Sequence, residues 1–165
     1  MTDDRKELNS ETQQLIEATE RGDVREVNRL VRSGVDVNRK SMHNPGWTPL
    51  ITAIEHGHTD IVQILLRAHA DTERADDSGR TPLIFAAQKN RKRIVEILLR
   101  SGAKVDSADR SGDTALIYAC SRGHRDVAEL LVRTGGARVD HQDRDGWTAL
   151  IFAARFDRPA VAKAL

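Results

Sequence analysis

Few side chains in this sequence stand at the spacing that catalysis or metal binding requires. His56 and His58 are two residues apart, but no third ligand is near them and the chain has no pair of cysteines, so we expect no metal site. Residues 143–146 resemble the start of a calcium loop, although the glutamate that closes such loops is absent. We find no glycine-rich phosphate loop, no Gly-x-Ser-x-Gly motif and no carboxylate pair suited to acid–base catalysis. The sequence therefore predicts no catalytic residue, no cofactor and no enzyme activity.

The densest group of charges is a basic run at residues 89–93 (Lys-Asn-Arg-Lys-Arg). It falls at the predicted start of a helix, where the helix dipole disfavours cations. Matching positions in two other copies of this segment carry the favourable residues Asp60 and Asp126. A local rule that is broken without evident compensation is typical of a functional site. Binding of an anionic ligand or a nucleic acid by this run, with Arg80 and Arg122, is therefore one functional hypothesis, and a solvated surface is the alternative.

Aromatic residues recur at two fixed places. Trp47 and Trp147 each lie between a turn glycine and a threonine, and tryptophan is enriched in interface hot spots. With about 10 Å per helix layer the two indoles would be about 30 Å apart, a span that suits a protein or peptide ligand. The alternative is that each ring packs across the adjacent turn. Phe85, Tyr118 and Phe152 share another position, where packing between helices is the more typical role, and the Tyr118 hydroxyl then needs a hydrogen-bond partner.

These side chains belong to a segment that occurs four times. Each copy begins with a threonine, and a glycine precedes that threonine by two positions. The threonines, which are 33, 33 and 34 residues apart, are Thr48, Thr81, Thr114 and Thr148. A fixed period of this length predicts a stack of small units, each of which buries its apolar face against its neighbours.

Residues 76–108 illustrate one unit. Asp-Asp-Ser-Gly at residues 76–79 predicts a turn. Thr81 is suited to cap a helix, and Pro82 is tolerated at the first helical position. The apolar pattern at residues 94–99 predicts a second helix, which Gly102 would end in the left-handed conformation. The unit is therefore a turn, two helices and an extended arm.

Substitutions at the glycine positions support the same backbone. Two copies have Gly57 and Gly123 between their helices, and the others have Asn90 and Asp157. His69 stands where three copies have a glycine after the second helix: Gly34, Gly102 and Gly135. Because Asn, Asp and His are the residues other than glycine that best tolerate a positive φ, we expect a positive φ at all of these positions.

The repeated segments resemble the ankyrin repeat family, and the likeness covers nearly the whole chain. The matching words are Gly-Trp-Thr-Pro-Leu at 46–50, Gly-His-Thr-Asp-Ile-Val at 57–62, Gly-His-Arg-Asp-Val-Ala at 123–128 and Gly-Val-Asp-Val-Asn at 34–38. The resemblance implies an all-α ankyrin-repeat solenoid of helix-turn-helix units joined by β-turn or hairpin loops. One departure is systematic, because the histidine usual after Thr-Pro-Leu is replaced by Ile51, Ile84, Ile117 and Ile151. We expect apolar packing there and an unchanged fold.

The period divides the chain into a polar N-terminal tail at residues 1–10, which we expect to fray, and an ankyrin repeat domain at residues 11–165. The repeats span about 11–42, 43–75, 76–108, 109–142 and 143–165, the last of them incomplete. Glu26 and Arg29 replace apolar residues of the later repeats, as expected of an N-terminal cap. The last repeat stops within its second helix, so we expect either a longer native chain or an uncapped edge that frays or associates end to end.

The resemblance also implies a binding surface, since in ankyrin domains the turn tips and the exposed face of the first helices line a concave groove. The leading hypothesis is a protein–protein interaction scaffold that binds a protein or peptide there. A third hypothesis, beside the basic run, is the regulatory segment of a larger enzyme or signalling protein. The residues placed in the groove are Asn44, Pro45, Trp47, Glu55, His56, Asp77, Ser78, Arg80, Gln88, Lys89, Arg110, Ser111, Asp113, Ser121, Arg122, Arg144, Asp145, Trp147, Arg155 and Phe156.

Composition limits the cellular context. The net charge of +1 gives no general attraction to nucleic acid or to a membrane, and no apolar run approaches the roughly 18 residues needed to span a bilayer. The single cysteine, Cys120, excludes an internal disulfide and replaces an alanine of other repeats, so we expect a buried thiol rather than a nucleophile. We expect an intracellular, cytoplasmic protein, with a nuclear location as the alternative that the basic run favours.

Overall fold

A computed structural model describes residues 3–41, 46–163 and 165, and of residues 3–10 it describes the backbone alone. Within these residues the elements are α-helices, as the repeat period predicts. They are α1 (Asp3–Arg21), α2 (Val24–Arg32), α3 (Pro49–His56), α4 (Thr59–Arg67), α5 (Pro82–Gln88), α6 (Lys92–Arg100), α7 (Ala115–Arg122), α8 (Arg125–Arg133), α9 (Ala149–Arg155) and α10 (Pro159–Ala162).

The helices form two layers. The inner helices α1, α3, α5, α7 and α9 contact one another in that order, and the outer helices α2, α4, α6, α8 and α10 do the same. Each inner helix also packs against the outer helix of its own repeat. The expected solenoid of helix pairs is confirmed.

The repeated threonines fix where inner helices begin. In each of the four copies the threonine hydroxyl oxygen accepts a hydrogen bond from the backbone N–H three residues later, at 3.3 Å for Thr48 and 3.4 Å for Thr81, Thr114 and Thr148. This bond satisfies one of the backbone donors that a helix start leaves without a partner. The predicted caps are confirmed.

The expected left-handed residues are confirmed with one correction. Asn90, Asp157 and His69 have φ angles of 56°, 53° and 63°. In the fourth repeat, however, the left-handed residue is Gly136 with a φ of 71°, and not Gly135. One extra residue in this repeat shifts the turn, and Gly135 is needed for another reason, because a Cβ there would lie 2.7 Å from the Leu131 carbonyl oxygen.

The core runs through the middle of the stack and ends at the fifth repeat. Ile51, Ile84 and Ile117 are buried as expected. Ile151, in the same register, is 44% exposed, because no later helix pair of the described residues covers α9. The apolar replacement of histidine therefore acts as core packing in three repeats.

The turns form a continuous row along one side of the stack. An aspartate that opens each later turn (Asp76, Asp109 and Asp143) accepts backbone N–H bonds from two and four residues ahead, at 2.8–3.0 Å. Neighbouring turns are joined by main-chain bonds of 3.0 Å, from the Arg110 N–H to the Ser78 carbonyl and from the Arg144 N–H to the Ser111 carbonyl. This row positions the turn-tip side chains.

The N-terminal repeat differs from the expectation in length. Helix α1 begins at Asp3, so it includes most of the segment that we expected to fray. Neither glycine nor proline occurs between Asp3 and Arg21, so nothing in the sequence interrupts the helix. On α2, Arg29 Nη2 lies 2.6 Å from Glu26 Oε1, which satisfies these two polar residues on the outer helix of the N-terminal repeat.

Candidate partner-binding groove

A cleft of about 440 Å³ lies between the turns of the third and fourth repeats. We call it the turn cleft. Its lining comes from both turns and from the inner helix α7, and it includes five residues that we placed in the groove from the sequence. The lining residues are Asp77, Ser78, Arg80, Asp109, Arg110, Ser111 and Tyr118. Asp109 and Tyr118 were not among the groove predictions.

Arg80 is held in place before any partner arrives. Its Nε and Nη2 atoms donate to Oδ2 of the buried Asp76 at 3.0 and 2.8 Å. Its guanidinium carbon lies 4.4 Å from the centroid of the Phe85 ring. An ion pair and a cation–π contact thus fix the same group. Arg80 therefore offers the turn cleft an oriented donor whose charge Asp76 balances.

Tyr118 and Asp109 form the second fixed pair of the turn cleft. The Tyr118 hydroxyl donates to Asp109 Oδ2 at 2.9 Å, which supplies the partner that its burial requires. Burial, followed by this hydrogen bond to a carboxylate, raises the pKa of Tyr118. The hydroxyl therefore remains a donor, and the aspartate remains its acceptor.

Asp113 has a different environment. Its Oδ1 atom is buried and has no hydrogen-bond partner among the described residues. Burial is the main cause that raises the pKa of this carboxyl to about 6, and the Asp109 carboxylate adds to the effect. Asp143 and Asp145 of the next turn act in the same direction. This part of the groove holds closely spaced carboxylates, and one of them is partly protonated near pH 6.

Trp47 packs against the next repeat. Its ring centroid lies 5.5 Å from that of Phe85 at an interplanar angle of 79°, an edge-to-face contact. The indole is half-buried against the core, and Phe85 is fully buried. Packing between helices, the interpretation that we favoured for Phe85, is confirmed. For Trp47 the ring spans two repeats rather than its own turn alone.

Trp147 belongs to a more open group, the terminal aromatic cluster, which consists of Trp147, Phe152, Arg155 and Phe156. The Trp147 and Phe152 centroids are 5.3 Å apart, and Phe156 stacks on Phe152 at 6.3 Å. The Arg155 guanidinium carbon lies 4.8 Å from the Trp147 ring centroid. Phe156 is 46% exposed. The cluster thus presents an aromatic surface and a cation on the last repeat.

The basic run, whose charges have no evident compensation in the sequence, has partners within the fold. Lys89 pairs with Glu55, and Arg91 Nη2 donates to the Glu55 carbonyl at 3.4 Å. Lys92 Nζ lies 3.8 Å from Asp126 Oδ2, and Arg93 Nη1 lies 3.3 Å from Glu96 Oε2. Each of these four cations therefore has a partner within the chain, so the run is not an uncompensated group of charges.

Arg91 has a structural role that the histidines of other repeats share. His58 and His124 stand at the same position, and a ring nitrogen of each lies 3.2 and 3.1 Å from a carbonyl oxygen at the end of the preceding inner helix. Arg91 reaches the corresponding carbonyl of Glu55. The loop between the helices is thus anchored to the preceding repeat in all three cases.

The remaining predicted residues have different environments. His56 Nδ1 lies 3.0 Å from the Thr52 carbonyl, and Asp77 accepts from Lys40 at 3.2 Å. Asn44 and Pro45 lie outside the described residues. Ser121 Oγ donates to the Tyr118 carbonyl at 3.0 Å. The Gln88 carbonyl oxygen lies 3.1 Å from Nε2 of His124. Exposed side chains with no side-chain partner in the described part of the chain are Arg110, Arg122, Arg144 and Asp145.

The cysteine, metal-binding groups and membrane-spanning helices were also considered from the sequence, and the described positions bear on each of them. Cys120 is fully buried as expected, and burial raises the pKa of its thiol to about 12, which keeps it protonated and unreactive. No group of three or more His, Cys, Asp or Glu side chains there is arranged to hold a metal ion. No helix in the described ranges is both long and apolar enough to cross a bilayer.

Comparison with known proteins decides the family. A family model described as ankyrin repeats (3 copies) matches residues 15–109 and again residues 102–165. The chain belongs to the ankyrin repeat family. The ankyrin repeat is a fold that generally serves as a protein-interaction module.

Curated relatives match shorter stretches of this ankyrin stack. Human ankyrin repeat domain-containing protein 40 is 45% identical over 67 residues, 41% of this chain and 18% of that protein. Human mitochondrial disaggregase is 43% identical over 63 residues, 38% of this chain and 9% of that protein. Mouse 2-5A-dependent ribonuclease is 42% identical over 65 residues, 39% of this chain and 9% of that protein. The chain thus covers less than a fifth of the length of each.

Proposed function

We propose that this ankyrin stack is a protein–protein interaction scaffold that binds a partner protein or peptide along its row of turns and inner helices. The main support is the fixed side chains of the turn cleft. Arg80 is held by Asp76 and Phe85, and Tyr118 is held by Asp109. Side chains that are already ordered lose little conformational entropy when a partner binds, so their contacts contribute more to affinity.

The composition of the cleft also favours a polypeptide. Its lining includes both acceptors and donors, with Asp77 and Asp109 as well as Arg80 and Arg110. A peptide presents both signs of charge and both kinds of backbone group, whereas a nucleic acid presents a uniform row of phosphates. Compensation of the basic run by Glu55, Asp126 and Glu96 weakens the case for an anionic ligand there.

Regulation of a larger protein is the second candidate function. Two relatives are named as a disaggregase and a ribonuclease, and the matched stretch is 9% of each. In this proposal the ankyrin stack itself performs no catalysis and controls or locates an activity that resides elsewhere.

A second copy of the chain is a further proposed partner. Leu150 and Ile151 on α9 are 51% and 44% exposed. End-to-end association would cover them as the next repeat covers their counterparts.

A cross-linking experiment tests the groove. The chain is incubated with cell extract, cross-linked and recovered, and the captured proteins are identified by mass spectrometry. Arg110→Ala combined with Arg144→Ala should lose the specific partner, because both exposed guanidiniums lie in the row of turns. Arg67→Ala combined with Arg32→Ala removes two arginines of the outer helices and should retain it.

Three outcomes would contradict the proposal. These are equal loss in both double variants, loss only in the outer-helix variant, or turnover of a substrate by the isolated chain. Added salt provides an independent check, because binding to a nucleic acid should fall steeply between low and physiological ionic strength. Retention of the captured protein after nuclease treatment and moderate salt is the expected result.

A further inference from the structure

The loops that join inner to outer helices in the last two repeats carry three arginines without a carboxylate partner. Arg122 ends α7, Arg155 ends α9, and Arg158 precedes α10. All three are exposed and form no ion pair in the part of the chain that the structure describes. The neighbouring cations Lys92, Arg93 and Arg125, by contrast, each pair with an acidic side chain. We refer to Arg122, Arg155 and Arg158 as the arginine edge.

Packing brings Arg158 of the fifth repeat onto the loop that follows Arg122 in the fourth. The Arg158 side chain crosses Gly123, where a Cβ would lie 2.8 Å from Arg158 Cδ, just as His58 crosses Gly22 and Arg91 crosses Gly57 in earlier repeats. Arg122 directly precedes Gly123 in the sequence. Burial of the His124 ring is the main cause that lowers its pKa, and the charges of Arg122 and Arg158 lower it further. Arg155 is three residues before Arg158 and is stacked on Trp147.

An apolar surface adjoins the arginine edge. Phe156 lies between Arg155 and Arg158 in sequence, is 46% exposed and stacks on Phe152. The contact with Trp147 fixes the Arg155 guanidinium against an aromatic face, so its donors keep their direction before a ligand binds. The loop therefore combines an oriented guanidinium with one exposed ring, and both residue types are enriched in protein interfaces.

We propose that the arginine edge and Phe156 dock an acidic segment of a partner protein, in which Asp or Glu residues flank an aromatic or aliphatic one. This inference rests on the proposed interaction function and names the chemical class of the partner. Carboxylates pair with the planar guanidinium through two parallel hydrogen bonds. The exposed Asp157 lies within the edge and would repel a continuous phosphate backbone, whereas a peptide can place an uncharged residue opposite it.

Binding of defined polymers tests the proposal. A fluorescent random copolymer of glutamate and tyrosine is titrated with the chain and followed by anisotropy, beside polyglutamate and single-stranded oligothymidylate. We expect the copolymer to bind most tightly. Replacing Arg122, Arg155 and Arg158 together by alanine should weaken its binding roughly tenfold or more. Phe156→Ala should weaken the copolymer several-fold and leave polyglutamate nearly unchanged.

The matched control removes three equal charges from the adjoining loops and helices. Lys92, Arg93 and Arg125 changed together to alanine should alter copolymer affinity by less than about twofold, because these cations already pair within the chain. Arg122→Ala alone separates a loss of binding from a loss of folding. Its position tolerates different side chains, since other repeats carry His56, Lys89 and Phe156 there. It should retain the melting temperature of the wild type and weaken binding measurably.

Equal losses in the two triple variants, or tighter binding of oligothymidylate than of the copolymer, would overturn the inference. So would an unchanged affinity of Phe156→Ala for the copolymer. The two proposals fail separately. If the copolymer does not bind but cross-linked capture still depends on Arg110 and Arg144, the groove function stands and the acidic partner is wrong. If capture is unchanged when Arg110 and Arg144 are replaced, the groove function is wrong, whether or not the copolymer binds.

Discussion

The fourth and fifth repeats share a sequence word but have opposite environments. Leu116 and Ile117 are 1% and 2% exposed, whereas Leu150 and Ile151 are 51% and 44% exposed. Both repeats nevertheless begin their inner helix with the same threonine cap, at 3.4 Å in each. Local structure therefore follows from each repeat's own residues, while burial depends on the neighbour that follows.

The largest expected effect is a difference in stability between equivalent leucines. Leu116→Ala should lower the free energy of unfolding by about 2–5 kcal/mol, because it opens a cavity in a closed core. Leu150→Ala should cost less than about 1 kcal/mol, because half of that side chain already contacts solvent. Urea unfolding followed by circular dichroism measures both. Equal losses would show that α9 is covered in solution and would break the comparison.

The threonine caps should behave alike in both repeats. Thr114→Ala and Thr148→Ala should each cost about 1 kcal/mol, because the same hydroxyl-to-backbone bond is lost. Thr134→Ala, an exposed threonine at the end of α8, is the control and should change stability little. A negligible effect of Thr148→Ala would mean that the fifth repeat is not part of the cooperative unit, which thermal unfolding can check.

Asp113 should make the stability of the fourth repeat depend on pH. Its folded pKa of about 6 lies above the ordinary value of 3.8, so the folded state favours the protonated carboxyl. The ionised form therefore costs stability above pH 6, and this cost disappears as the pH falls through the window towards 4. Asp113→Asn should stabilise the fold at pH 7.5 by about 1 kcal/mol or less, given its partial exposure, and should have little effect at pH 4.

Urea midpoints at the two pH values test this prediction. Asp140→Asn, a surface aspartate that pairs with Arg138 at 3.4 Å, is the matched control and should not alter the pH dependence. A gain at pH 4 as large as that at pH 7.5 would exclude titration of Asp113 as the cause. Trp147, the equivalent residue of the fifth repeat, has no such titration.

Replacing the exposed Ile151 should change stability least but should change self-association of the chain. Ile151→Ser should alter the free energy of unfolding by less than about 0.5 kcal/mol, because the side chain is already exposed. It should, however, reduce concentration-dependent self-association in sedimentation velocity experiments. Val139→Ser is the control, since Val139 is 41% exposed elsewhere on the surface. Association that persists in Ile151→Ser would contradict end-to-end contact through α9.

Features that depend on a single repeat could be predicted from the sequence. The threonine caps and the positive φ angles of Asn90, Asp157 and His69 each follow from one residue and its nearest neighbours along the chain. Gly135 was assigned wrongly because an inserted residue moves the left-handed position to Gly136, and one sequence does not show which of two glycines turns. The start of α1 was missed because a polar segment alone does not reveal helix formation.

Features that join repeats were the ones that sequence reasoning missed. Glu55 compensates Lys89 from 34 residues away, and Arg158 crosses Gly123 of the preceding repeat. These pairs follow the period of the stack, so aligning the repeats one below another would have suggested them. The hydrogen bond between Tyr118 and Asp109 lies within one unit but needs the turn geometry to bring the groups together. The partner-binding residues themselves remain predictions.

The main-chain bonds between neighbouring turns have an evolutionary consequence. The backbone amides of Arg110 and Arg144, and not their side chains, bond each turn to the preceding one. The side chains at the turn tips can therefore be exchanged while the spacing of the turns stays the same. Specificity for a ligand can therefore drift independently of the architecture that displays it. Proline is the exception, because at position 110 or 144 it would remove the backbone N–H that joins two neighbouring turns.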